Sequence, residues 1–77
     1  MGQALQAGQR AVALFEDLDD QYSLGEALDG LADSLLAAGR PGSEVRAGRE
    51  ASAAVYRRAG AEAEAARALA KPTGNGA

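Results

Sequence analysis

Three carboxylates and one serine are the residues of this chain best spaced to do chemistry. Glu26, Asp29 and Asp33 fall at i, i+3 and i+7, which places them on one face of a helix. Ser34 stands between Asp33 and Leu35. A hydroxyl next to an acid could carry a covalent group, and clustered carboxylates could act as acid and base or hold a hard cation. Their setting argues against catalysis. The 77 residues include no Cys and no His, which removes disulfides, thiol chemistry, imidazole proton transfer and the commonest zinc ligands. No glycine-rich phosphate loop accompanies the acids. What remains for the strip is recognition of Arg or Lys on a partner, internal pairing with Arg67, or plain solvation.

The elements that must position these residues are helices. Ala, Leu, Glu, Arg and Gln fill the chain and β-branched residues are scarce, so strands are not expected. Leu5, Gly8, Val12, Phe15 and Leu18 keep a helical rhythm, widened by Ala4, Ala11 and Leu14, and predict a first helix over about 3–18. Asp19 and Asp20 offer N-cap oxygens for a second helix, with Ser23 to Glu26 as a later capping box. Leu24, Leu28, Leu31 and Leu35 at i, i+4, i+7 and i+11 carry that helix over about 20–38, and Gly39 suits a left-handed C-terminal cap. Pro41 opens a third helix, about 41–59, with Val45, Ser52, Val55, Tyr56 and Ala59 as its apolar face. These residues are small and Gly48 interrupts them, so this helix is expected to pack less firmly than the first two. A short fourth helix follows Gly60 over about 61–70. Pro72 and Thr73-Gly74-Asn75-Gly76 then predict a disordered tail over 71–77.

Composition limits what these helices can build. A single domain of this length buries only about 60% of its unfolded surface, and its large apolar residues are nine Leu, three Val, one Phe and two Tyr. The core must be thin. Phe15, Leu28 and Leu31 are its expected centre. No apolar run reaches the ~20 residues of a membrane span, and no secretory leader is apparent, so a soluble, cytoplasmic protein without membrane contact is expected. Residues 11–39 hold seven carboxylates and no Lys or Arg, whereas residues 40–71 hold seven cations and four carboxylates. Arg57-Arg58 is too short and too acidic in context for nucleic-acid binding.

Displacing the chain by 41 positions lays Ala13-Leu14-Phe15 over Ala54-Val55-Tyr56 and Ala27-Leu28 over Ala68-Leu69. Helix pairs repeating at such a period signal a stacked solenoid. The segment AVALFEDLDDQYSLGEALDGLADSLLAAGRP is similar to the long-helix tetratricopeptide repeats of bacterial regulatory proteins. Leu31-Ala32 matches that family's Leu-Gly pair, Leu35 the next core position, Gly39-Arg40-Pro41 the inter-helix turn, and Ala11 the small residue where helices approach. Ala32 replaces the usual glycine, and Arg46 and Arg49 stand where apolar residues are common.

The resemblance implies an all-α fold of two antiparallel helix pairs, a fragment of an α-solenoid within a larger regulatory protein. It implies no enzymatic activity and no cofactor or metal, but a groove for a protein or peptide partner. Glu26, Asp29, Asp33 and Leu36 of the second helix would face that groove, and Arg67 would stand across from them. Exposed end faces, Leu5, Val12 and Phe15 at one end and Val55, Tyr56 and Leu69 at the other, would favour self-association. The acidic and basic halves would orient the copies. Asp33-Ser34-Leu35 also resembles the phosphopantetheine-bearing serine site of acyl and peptidyl carrier proteins, which is the alternative. A carrier serine opens a long helix, however, and none can run through Gly39-Arg40-Pro41-Gly42.

Overall fold

The computed structural model describes residues 2–18 and 20–74, all of whose regular structure is helical. The helices are α1 (Gly2–Leu18), α2 (Gln21–Ala37), α3 (Gly42–Arg58) and α4 (Glu62–Ala70). Short connections reverse the chain each time, so consecutive helices pack as antiparallel neighbours. The Cα trace measures 31 × 26 × 13 Å, a slab about one helix thick. The core is therefore held in the seams between neighbours. The side chains of Ala4, Asp17 and Leu18, together with Asp19 and residues 75–77, lie outside the described part, and so do the expectations placed on them.

The punctuation residues act locally as their chemistry requires. Asp20 caps α2 by accepting the Ser23 backbone N–H at 3.1 Å, and the Ser23 hydrogen bonds hold its carboxyl below the ordinary value. The later capping box is not used. At the end of α2, Gly39 takes φ +74°. That turn lets the Arg40 N–H reach Leu35 O at 3.0 Å and the Gly39 N–H reach Leu36 O at 3.0 Å. Gly60, at φ +77°, repeats the closure on α3, with Ala61 N–H donating to Tyr56 O and Gly60 N–H to Arg57 O. Pro41 then starts α3 with its fixed φ of −53°.

The 41-residue echo extends from side chains to backbone geometry. Asp20 N–H donates to Phe15 O and Leu24 N–H to Asp20 O. Forty-one positions on, Ala61 N–H donates to Tyr56 O and Ala65 N–H to Ala61 O. The α1–α2 and α3–α4 turns are thus closed by equivalent hydrogen bonds.

The core lies elsewhere than apolar size suggests. Its buried members are Leu24 and Ala32 of α2, Val45, Ala53, Val55 and Tyr56 of α3, and Ala65 and Ala68 of α4, with Ala53, Tyr56 and Ala65 as its cluster. Phe15, Leu28 and Leu31 are only half-buried. α3, expected to pack less firmly than the first two helices, forms the most extensive seam with α2, and the cause is its small residues. A methyl group on Gly48 would stand 3.1 Å from the Ala32 Cβ, and one on Gly25 would lie 2.8 Å from the Tyr56 ring. The buried Ser52 hydroxyl donates to the Gly25 carbonyl across the same seam, at 2.7 Å. Glycine, alanine and serine let α2 and α3 approach until backbone and Cβ atoms provide the packing. In the α1–α2 seam Gly8 lies close against Leu31, where a methyl group would stand 3.1 Å from Leu31 Cδ1, and Ala11 is half-buried.

Two further expectations are overturned. Val55 and Tyr56, assigned to an exposed end face, are 5% and 6% exposed, the Tyr56 ring lying against Gly25 of α2 and clustering with Ala65 of α4. Leu69 is exposed as expected, and Leu5, Val12 and Phe15 are half-buried. Residues 71–74 are not a free tail: they run back across α2 and α3.

Candidate functional site

A cleft of about 590 Å³ opens between α2 and α4 over the edge of α3. Tyr56 of α3 forms its floor, and Tyr22 of the first turn of α2 stands edge-on to it, ring centres 5.5 Å apart and planes at 72°. α2 contributes Glu26 and Asp29 to one wall, α4 contributes Glu64, Arg67 and Ala68 to the other, and Lys71 closes one end. The i, i+3 spacing puts the two α2 carboxylates on this face, and i, i+3, i+4 does the same for the α4 residues.

The Tyr22 hydroxyl donates to Glu64 Oε2 at 3.1 Å and ties the two walls together. That hydrogen bond, helped by the Glu64 charge, raises the Tyr22 phenol. Tyr56 is pushed up to about 12, first by burial and then by the negative charge of Glu26 and Asp29. No buried polar atom lacks a partner among the described residues, and no described group bonds the Tyr56 hydroxyl, so it faces the open cleft. Glu26 is exposed and makes no ion pair or hydrogen bond among the described residues. Arg67, expected to face the acidic strip, lines the cleft opposite Glu26 and Asp29 but among the described residues pairs only with Glu64, at 4.0 Å.

Below the cleft the acidic strip is already occupied. Arg49, 2% exposed, donates from Nη1 to Asp29 Oδ1 at 3.2 Å and to Asp33 Oδ1 at 2.7 Å. Its Nε and Nη2 donate to the Pro72 carbonyl at 3.1 and 2.7 Å. Lys71 Nζ meets the other oxygens of the same acids, Asp29 Oδ2 at 3.0 Å and Asp33 Oδ2 at 2.9 Å. Burial pushes the Asp33 carboxyl up, but hydrogen bonds and charge from Lys71 and Arg49 together hold it below the usual value. For Lys71 burial acts downward and is outweighed by its bonds to Asp33 and Asp29, so the ammonium is held above the usual value.

The strip therefore divides. Glu26, Asp29 and Arg67 share the cleft, Asp33 belongs to the Arg49 and Lys71 network, and Leu36 lines a separate depression of about 340 Å³ with Gly39, Arg40, Pro41 and Gly74. Asp29 and Asp33 pair with two cations of this chain, Arg49 and Lys71. Arg58 instead donates to Gln21 Oε1 at 3.0 Å. Ser34 is half-buried in the last turn of α2, and its carbonyl accepts the Ala38 N–H.

The residues missed from sequence are Tyr22, Glu64, Arg49 and Lys71, while Tyr56, expected on an end face, forms the cleft floor instead. Arg49 had a signal: with Val45, Ser52 and Tyr56 it falls at i, i+4, i+7 and i+11, a lone cation within an otherwise uncharged stripe. The described residues contain no cluster of acids suited to a metal ion and no helix long and apolar enough to cross a membrane. Comparison with family models, with curated proteins and with solved structures returns no match to this chain.

Proposed function

We propose that the chain is a protein-interaction module, a tetratricopeptide-like pair of helical hairpins from a larger bacterial regulatory protein. Its cleft receives a basic side chain on a segment of a partner protein. One observation carries this reading: Glu26, unpaired among the described residues, lines the same cleft as the edge-on Tyr22 and Tyr56 rings, with Asp29 beside it on the α2 wall. A guanidinium or ammonium entering there would gain a carboxylate, a free phenol oxygen and aromatic faces. The slab shape and the repeated turn hydrogen bonds support the solenoid part of the reading.

Amide chemical shifts measured while blocked Ala-Ala-Arg-Ala-Ala is added test the proposal, with the Glu-centred peptide as control. The Arg peptide should shift Tyr22, Glu26 and Tyr56 with a Kd of about 1 mM, the range of a single weak contact. Glu26→Gln should abolish the shifts. Equal responses to both peptides, or shifts that survive in Glu26→Gln, would refute it.

A further inference from the structure

The segment Lys71–Gly74 has the geometry of a bound peptide. Lys71 leaves α4 in extended conformation, φ −72° and ψ 153°, which the following proline enforces. Its ammonium spans two carboxylates that a buried arginine holds in place, and the same arginine grips the next main-chain carbonyl through two N–H groups. Gly74 then lies against Leu36 at φ +87°, where a methyl group would stand 2.9 Å from Leu36 Cδ1. The receiving surface engages three features in order: a lysine ammonium, the main-chain carbonyl of the proline that keeps the lysine extended, and a glycine two residues later.

We propose that Asp29, Asp33, Arg49 and Leu36 form a binding site for an extended Lys-Pro-x-Gly segment of a partner protein, which the chain's own Lys71–Gly74 fills as an internal ligand. The internal copy is displaceable. Lys71 and Asp33 keep much of their surface open to water, with side chains 32% and 49% exposed, and such pairs hold weakly. If the segment leaves, Arg49 retains both carboxylates and water can take the place of the Pro72 carbonyl. The occupant follows from the chemistry of the seat: two carboxylates select an ammonium, the arginine fork selects a carbonyl, and the positive φ of the residue against Leu36 favours glycine. The inference rests on the geometry of this segment and not on what enters the neighbouring cleft.

The test uses the full chain with Lys71→Glu, which drives the segment away from Asp29 and Asp33. A blocked peptide of sequence AKPTGNGA is added while amide shifts are followed. Saturable shifts are expected at Asp29, Asp33, Leu36 and Arg49, with at least about tenfold weaker binding to the unaltered chain, because the tethered copy competes at high effective concentration. Replacing the peptide's lysine by alanine or its first glycine by leucine should abolish binding. Glu26→Gln should leave it unchanged, which separates this site from the cleft. Absence of shifts in the Lys71→Glu chain, or equal binding of the lysine-free peptide, overturns the proposal. Collapse of the dispersed amide spectrum in Lys71→Glu overturns it too, since the segment would then be part of the core.

Discussion

Replacing Arg49 by methionine removes the one fully buried charge from the α2–α3 seam while nearly preserving its volume. The arginine makes four charge-assisted hydrogen bonds, two to carboxylates and two to the Pro72 carbonyl. Deleting one partner of a fully buried ion pair costs roughly 3–5 kcal/mol, because the other charge is stranded. Two features lower that figure here. Lys71 still contacts both acids and offsets one of their two charges, and Asp33 is 49% exposed, so water can solvate it. Methionine also regains apolar contact with Val45 and Ala32 neighbours along the seam. The expected loss is about 2–3 kcal/mol, against a total stability of roughly 4–11 kcal/mol for a chain of this length.

Urea unfolding followed by circular dichroism measures it. With a slope of about 1 kcal/mol per molar urea, the midpoint should fall by roughly 2–3 M. Arg49→Lys should recover only part, because one ammonium cannot reproduce a planar fork that holds two acids and a carbonyl. Asp33→Asn should be milder in the Arg49→Met background than alone, since it then removes a poorly compensated charge. A midpoint shift below about 0.5 M, or additive effects of Arg49→Met and Asp33→Asn, would refute the view that this network organises the seam.

The two glycines of mid-α2 should respond oppositely to alanine: Gly25→Ala drives a methyl into the Tyr56 ring and should cost about 1–3 kcal/mol, whereas Gly30, with nothing within 4 Å, should gain roughly 0.5–1 kcal/mol in thermal or urea unfolding. Leu31→Ala should cost only about 1–2 kcal/mol, because Leu31 is half-buried against Gly8; a loss above about 3 kcal/mol would mean it is fully enclosed. Stability should be highest between about pH 4 and pH 10. Asp33 is held below its ordinary 3.8, so its contribution is present above that value and lost as pH falls through the folded pKa. Lys71 is held above 10.5 and Tyr56 at about 12, so theirs is present below their unfolded values and lost as pH rises through the folded ones. Urea midpoints measured across pH would check this, and Lys71→Ala should flatten the acid limb.

Helix boundaries were legible because each is marked by a residue whose local chemistry forces it. Gly39 and Gly60 adopt positive φ, Pro41 starts a helix with its fixed dihedral, and Asp20 supplies a cap. None of these depends on distant residues. The α2–α3 core was not legible for the opposite reason. Gly25, Ala32, Gly48 and Ser52 have little apolar area, and only the mutual approach of two helices makes them a core. A periodicity weighted by side-chain size therefore drew attention to Phe15, Leu28 and Leu31. The 71–77 segment looks like a tail in sequence because Lys71 finds its acids 42 and 38 positions away, and no local pattern encodes that pairing. In the candidate site, i, i+3 spacing sufficed to bring Glu26 and Asp29 to one wall, but the tyrosine pair joins α2 to α3 and needed the fold.

Asp29 links the two proposed sites. Its side chain lines the cleft and also carries both Arg49 and Lys71. A partner cation that reached past Glu26 to Asp29 would compete directly with the Lys71 ammonium and weaken the hold on residues 71–74. By thermodynamic reciprocity, a chain whose segment is released should bind such a cation more tightly, by the same factor. The coupling is electrostatic and partly exposed, so it should shrink as salt shortens the screening length, to about 8 Å at physiological ionic strength. The aromatic floor of Tyr22 and Tyr56 makes no ionic contact with Lys71, and its contribution to binding should persist at high salt. Salt dependence thus separates the part of recognition that passes through Asp29 from the part held by the two rings.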